Sequence, residues 1–396
     1  MKIGIDCTEI KPNFFGGINS FTFGLLKGIS SIETKHRFNI YVTKENRQLI
    51  EKYCLSDNFT IYEIKDCFLF FKKILKVLAI LALPLTTYQK FNDWLFRHHI
   101  LLKEQSEVLY IPTTVMNQFD IRSTTVVSMH DLQQVHYPEN FSWLQLKWRQ
   151  ANFDSTIQFA SFYQASSKFQ KDDMLDYYKT LSANQIKIIR DGVDVKLFNK
   201  LSNSAIDVIT KYKIPEKYIF LPAQLWPHKD HITVLKAINF IKENFNKEIP
   251  LVMTGGKFSA TSNIFKYIKK NRMDNIYYLG KLPFEDIVCL HKNANIFVTA
   301  VYYENTSLPI IEACLAKTRV IASNAPGNIE LADLLDIELF DIGDFEMLAK
   351  KILDFWNHNV NNPYSQEKNF QIVKESDWSY VAKDYINYFE EIYREK

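Results

Sequence analysis

Two glutamates eight residues apart bracket the most chemically loaded stretch of the chain, Tyr303-Glu304-Asn305-Thr306-Ser307-Leu308-Pro309-Ile310-Ile311-Glu312-Ala313. A strand-like run, Ile296–Ala300, precedes it, and a helix is expected from Leu308. Ser307 stands where an N-cap belongs, and Pro309 falls in the first turn, where its missing N–H costs nothing. The N–H groups of Thr306, Ser307 and Leu308 at such a helix start suit a diphosphate. Glu312, about one turn inside the helix, could accept two ribose hydroxyls, as acids do in dinucleotide sites. Glu304 could face the sugar side of the same ligand.

Three further groups of residues carry chemistry. In Leu221-Pro222-Ala223-Gln224-Leu225-Trp226-Pro227-His228-Lys229-Asp230-His231, Lys229 brings a positive charge to the point where a strand releases the chain into a helix. A lysine there can stabilise a departing diphosphate without any proton transfer. His130, in Ser128-Met129-His130-Asp131-Leu132, follows the strand Thr125–Met129, and the Asp131 beside it could orient the imidazole. Gly16-Gly17 follows the first strand, where backbone must approach a ligand closely. The pattern is not GxGxxG, which disfavours a nicotinamide site.

The elements that must hold these residues read as two α/β series. The first has strands at Lys2–Cys7, Phe38–Val42, Val108–Ile111, Thr125–Met129 and Gln185–Ile189, with a helix at Ile18–Ile29. The second has strands at Tyr218–Pro222, Pro250–Thr254, Ile276–Leu279, Ile296–Ala300 and Arg319–Ala322. Helices fall between them at His231–Asn244, Phe258–Asn271, Phe284–Asn293 and Leu308–Ala316. This predicts a domain over 1–194, a polar linker over 195–217 that serves as hinge, and a second domain over 218–375. A terminal helix over 376–396, with an aromatic stripe, returns to the first domain.

Composition excludes several classes. Of 396 residues, 47% are hydrophobic and 23% charged, which is ordinary for a globular protein. Lys+Arg 48 against Asp+Glu 45 leaves +3, too little for a nucleic-acid binder, so no nucleic-acid partner is expected. Cys7, Cys54, Cys67, Cys289 and Cys314 show no CxxC spacing, which points to a reduced, cytoplasmic setting without a zinc site. The chain enters a strand directly after Met1, so no signal peptide is expected.

The most apolar stretch, 68–85, contains Lys72, Lys73, Lys76 and Pro84, which interrupt it too often for a spanning helix. From Phe68 to Lys103 the charged residues are Lys72, Lys73, Lys76, Lys90, Arg97, Lys103 and Asp93, a net +5. On a helical wheel the first three lysines share a sector. That arrangement suits a helix lying in the interface of an anionic leaflet, with the protein peripheral on the inner face of the plasma membrane.

Taken in order, these pieces resemble the retaining GT-B glycosyltransferases of family 4, the glycosyl transferases group 1 set, in its bacterial surface-polysaccharide form. The resemblance runs from Gly16-Gly17 through His130-Asp131, Ser166, Arg190-Asp191-Gly192-Val193-Asp194 and Lys229 to Glu304 and Glu312, and ends in the aromatic terminal helix. It implies an α/β fold of GT-B type, two Rossmann-like α/β/α domains facing a central cleft. By the same resemblance Gly16 and Gly17 contact donor phosphates, and His130 hydrogen-bonds the donor sugar. Lys229 holds the diphosphate, Glu304 the transferred sugar, Glu312 the ribose, and Lys281 and Leu282 the base. The implied reaction moves a sugar, with retention, from a nucleotide-diphosphate donor to a lipid-linked or polysaccharide acceptor, with no cofactor and no metal. Gln224 stands where relatives carry an arginine that pairs with the diphosphate, and Arg190 is a candidate replacement for that charge. A nucleotide-sugar epimerase and a non-catalytic glycan-binding partner of a membrane synthase remain as alternatives.

Overall fold

The computed structural model describes residues 1–12, 17–64, 69–96, 106–116, 123–202, 207–357 and 363–395. The chain divides into two units, Met1–Gly192 with Trp378–Lys396, and Val193–Asp377.

The first unit is built on strands β1 (Lys2–Asp6), β2 (Arg37–Val42), β3 (Phe59–Glu63), β4 (Val108–Ile111), β5 (Thr124–Ser128), β6 (Phe162–Ala165) and β7 (Ile186–Ile188). They form one parallel sheet in the order β3-β2-β1-β4-β5-β6-β7. Runs such as Val108-Leu109-Tyr110-Ile111 are buried throughout, as a parallel sheet covered on both faces requires. Because β1 is flanked by β2 on one side and β4 on the other, the winding reverses between β1 and β4.

The helix Gly17–Ser30 covers one face and packs against the terminal helix Trp378–Arg394, whose Trp378, Tyr385, Tyr388 and Phe389 are buried. Glycines make this packing possible. A Cβ on Gly28 would meet the Trp378 carbonyl oxygen at 2.3 Å, and one on Gly24 would enter the Trp378 ring at 2.1 Å. The aromatic stripe is therefore a packing surface of the first unit.

The second unit carries β8 (Ile219–Pro222), β9 (Leu251–Thr254), β10 (Ile276–Tyr278), β11 (Ile296–Thr299), β12 (Arg319–Ser323) and β13 (Glu338–Phe340). They form a parallel sheet in the order β10-β9-β8-β11-β12-β13, so here the winding reverses between β8 and β11. In α/β sheets, ligands bind at such reversals, outside the carboxyl ends of the strands. The polar stretch 195–217 is not bare linker. It contains helices Val195–Ser202 and Val208–Tyr212, with Val195, Phe198 and Val208 buried in the second unit.

Among the described residues no helix is long and apolar enough to cross a membrane. The helix Leu69–Ala82 has an unusual aspect. Lys76 is 6% exposed, while Phe71 is 61% exposed and Ile74, Leu75, Val77, Leu78 and Leu81 also face outward. Of the lysines that share a sector, Lys76 is buried, as Ala79 and Ile80 are, so this sector does not reach a membrane surface through Lys76, and the apolar face turns out instead.

Candidate functional site

The reversal between β8 and β11 brings together the loops that follow those two strands. After β8, Pro227–Lys229 forms one 3-10 turn, and Asp230 takes the left-handed conformation (φ 40°) to redirect the chain into helix His231–Phe245. Asp230 caps that helix, its carboxylate accepting from the Thr233 N–H at 3.3 Å and the Thr233 hydroxyl at 2.6 Å. The Tyr302 N–H donates to the His228 carbonyl at 3.0 Å and so stitches the β8 loop to the β11 loop. Across this stitch the Lys229 ammonium donates to the Glu304 carboxylate, each side chain about one-fifth exposed. The helix following β12, Pro326–Ala332, holds the main chain at this point, Gly327 N–H donating to the Glu304 backbone carbonyl at 3.0 Å.

Next to this pair begins the helix Leu308–Leu315. Ser307 is its N-cap residue and is buried, but its hydroxyl makes no capping bond. Its carbonyl instead accepts from Ile310 N–H at 3.1 Å and Ile311 N–H at 3.4 Å. Thr306 and Leu308 are half-buried on either side of it. Glu312 extends from the same helix and comes within 3.5 Å of the buried His291 ring.

The β9 and β10 loops close the other side of β8. Gly255 has φ 130°, and a Cβ there would meet the Ala223 carbonyl oxygen at 2.3 Å, so no other residue fits. Its N–H donates to the Gly280 carbonyl at 2.8 Å, which sets the start of the Gly280-Lys281-Leu282 turn beside the β9 loop. Lys281 is exposed and Leu282 half-buried. Gln224 is the side chain whose charge differs most from expectation. Its amide oxygen accepts from the Trp226 indole N–H at 2.9 Å, and Trp226 stacks on Phe258 at 3.9 Å. Gln224 therefore braces an aromatic wall, a task an arginine at this position could not perform as an acceptor.

Two histidines anchor the β8 loop. His231 is 1% exposed and its Nε2 lies 3.3 Å from the Ala223 carbonyl oxygen. Burial, opposed by that bond, pushes its imidazole down to about 4. Burial also lowers His228, to about 3, with the Lys229 charge adding to the shift. Both rings are neutral at pH 7 and leave Lys229 as the cation of the loop.

In the first unit, His130 follows β5, next to the reversal between β1 and β4. Its Nε2–H donates to the Pro112 carbonyl at 2.7 Å and its backbone N–H to Thr114 Oγ1 at 3.1 Å, so the residues after β4 fix the ring. Burial holds its pKa below the ordinary histidine range, against the opposing effect of the Pro112 bond. The expected orientation by Asp131 is corrected: the Asp131 carboxylate accepts from Arg149 instead. Gly17 is the first residue of its helix, with open space where a Cβ would stand, while Gly16 lies outside the described residues. Arg190 is exposed in the loop after β7.

Gln224, Lys229, Lys281, Leu282, Glu304, Thr306, Ser307, Leu308 and Glu312 thus all lie in the segments that follow the carboxyl ends of β8, β10 and β11 in the second unit. Sequence reading missed Gly255-Gly256 and His291. The glycines follow a strand in a chain with only 11 of them, the same signal that singled out Gly16-Gly17. Among the described residues no three His, Cys, Asp or Glu side chains are grouped as metal ligands.

Comparison with known proteins bears on this arrangement. Residues 206–371 match the profile of the family described as Glycosyl transferases group 1. The chain is 19% identical over 264 residues to O-antigen chain mannosyltransferase B of Escherichia coli, covering 66% of this chain and 69% of that one. It is 22% identical over 207 residues to O-antigen chain mannosyltransferase RfbU of Salmonella typhimurium, 52% of this chain and 53% of that one. The latter alignment spans only about half of that relative's length. The structure of Anabaena HepE in complex with UDP and glucose superposes with a TM-score of 0.71, covering 98% of this chain and 99% of that one at 17% identity. The matched stretch, residues 206–371, carries the Lys229, Glu304 and Glu312 loops and is similar to the glycosyl transferases group 1 profile, while the two parallel sheets share the GT-B fold of the superposed structure.

Proposed function

We propose that this protein transfers a sugar, with retention at the anomeric carbon, from a nucleotide-diphosphate donor to a lipid-linked or polysaccharide acceptor of a bacterial surface glycan. The observation that carries the reading is the Lys229–Glu304 pair at the β8–β11 reversal. An ammonium and a carboxylate, both partly buried, lose solvation and offset it by pairing. A donor diphosphate competes for the ammonium and releases the carboxylate to accept hydroxyls of the transferred sugar. The same lysine then stabilises the charge that builds on the leaving diphosphate as the glycosidic bond breaks. Glu312 takes the ribose, the backbone around Thr306, Ser307 and Leu308 takes a phosphate, and the Lys281-Leu282 turn borders the base. His130 takes a hydroxyl of the sugar and Gly16-Gly17 the phosphates. The leaving oxygen accepts the proton of the incoming hydroxyl, so no separate side-chain base is required. The chain's own groups suffice for charge stabilisation, without a metal.

The similarity to two O-antigen mannosyltransferases supports a GDP-mannose-type donor, and HepE with UDP and glucose supports a UDP-sugar as the next choice to assay. Support for a lipid-linked acceptor comes from the outward apolar face of helix Leu69–Ala82. Beside it, a largely apolar groove is lined by Val77, Ile80, Leu144 and Trp148 together with Lys11 and Arg149.

Radiolabelled GDP-mannose, UDP-glucose and dTDP-sugars, incubated with polyprenyl-diphosphate-linked acceptors, test the reading. Transfer to an acceptor is expected, lowered roughly 10²-fold or more in Lys229→Ala and in Glu304→Ala. Isomerised donor without transfer would identify an epimerase. Near-wild-type transfer by both variants would refute the site.

A further inference from the structure

His291, on the helix Phe284–Asn293, is wholly removed from solvent. Among the described residues neither of its ring nitrogens makes a hydrogen bond. The ring is walled by aromatics: Phe297 stacks on it at 5.6 Å, Phe220 meets it edge-on at 4.9 Å, and Phe198 lies at 6.4 Å. Packing alone gives no reason for a polar ring there, because buried polar atoms without partners cost free energy that a phenyl ring would not. Its Nε2 faces one ionisable partner, Glu312 Oε2, at 3.5 Å. Glu312 keeps 20% of its side chain exposed and is the outward end of the pair. The backbone fixes the two helices as well, since Thr318 Oγ1 donates to the His291 carbonyl at 2.6 Å just after the helix that carries Glu312.

We propose that His291 is the positioning residue of Glu312. Its imidazole presents Nε2–H to Glu312 Oε2 and sets the carboxylate so that its remaining lone pairs receive the 2′- and 3′-hydroxyls of a nucleotide ribose. This inference rests on the reading of Glu312 as the ribose acceptor. The aromatic wall keeps water from competing for the imidazole, which strengthens a hydrogen bond made there. A carboxylate held in advance loses less rotamer freedom when the ligand arrives. The 3.5 Å gap shortens as the nucleotide draws Glu312 into place, as site hydrogen bonds commonly tighten on binding.

Calorimetric titration with UDP, GDP and ADP, each against its 2′-deoxy counterpart, tests this. The wild type is expected to prefer a ribonucleotide by roughly tenfold, the scale of a hydrogen bond to a charged group. Glu312→Ala abolishes that preference. His291→Phe lowers it about fivefold without lowering the melting temperature, and His291→Gln, which keeps an amide donor, recovers part of it. If His291→Phe fails to fold, His291→Asn, too short to reach Glu312, takes its place with the same expectation. Loss of preference in Glu312→Ala with wild-type preference in the His291 variants overturns the role of His291 and leaves the ribose reading standing. Unchanged preference in Glu312→Ala, or a wild type that binds none of the nucleotides, overturns both.

Discussion

The β8 loop is held by His231, a group whose protonation the fold opposes. Burial lowers its pKa to about 4, whereas an exposed histidine titrates near 6.5. Between those values the unfolded chain binds a proton that the folded chain does not. Stability is therefore fully present above about pH 6.5 and falls as the pH drops toward 4, by at most about 1.4 kcal/mol per pH unit for this residue. His228, lowered to about 3, acts in the same direction. The melting temperature of the wild type is expected to fall between pH 7.5 and 5.0, and His231→Gln to show a shallower fall. Equal slopes in differential scanning calorimetry would remove His231 from the account. At this scale the roles of Lys229, Glu304 and Glu312 are as proposed, but their placement, the first two at strand–helix junctions and the third one turn into a helix, was legible in the local pattern. His291 was not, because its meaning depends on the aromatic rings of other elements, Phe198, Phe220 and Phe297, that enclose it. Asp131 misled for a related reason: sequence adjacency to His130 suggested a partner, but side chains that follow a strand diverge, and Arg149 from a distant helix claimed it.

Among the elements, buried parallel strands announced themselves as short apolar runs, and ten of them fall where periodicity located them. Three strands escaped it. β3, Phe59–Glu63, is a half-exposed edge strand, β6, Phe162–Ala165, is four residues long, and β13, Glu338–Phe340, has three. Short runs of this kind are not told from loop or helix segments by periodicity alone. Helix Leu69–Ala82 carries the element-scale prediction. About 100° of rotation per residue puts Phe71, Ile74, Leu75, Val77, Leu78 and Leu81 within an arc of roughly 160°. That face is exposed, whereas Lys76 is not. Apolar bulk, more than lysine charge, is then what an anionic leaflet would receive. In flotation with vesicles containing anionic lipid, the wild type is expected to rise with the vesicles and Phe71→Glu/Leu75→Glu/Leu78→Glu to remain below, with an unchanged far-ultraviolet spectrum. A triple variant that floats like the wild type would remove the membrane role of this helix.

At the scale of the whole molecule, two sheets of one design repeat the same logic. Each winds outward from its first strand, reverses once, and gathers its chemical residues in the loops beside that reversal: His130 with Pro112 and Thr114 in one, Lys229 with Glu304 in the other. The order of strands in a sheet is not written in any local pattern, which is why sequence gave the loops but not their pairing. The stitch from Tyr302 to His228 is visible only once β8 and β11 lie side by side. The central claim is that the second sheet's reversal binds a nucleoside diphosphate through Lys229. Isothermal titration of the wild type and Lys229→Ala with UDP, GDP, dTDP and ADP tests it most directly. The wild type should bind at least one of them with a single site, and Lys229→Ala should bind it at least about tenfold more weakly, the scale of a lost hydrogen bond to a charged group. No binding of any of the four by the wild type, or equal affinity in the variant, would contradict the account.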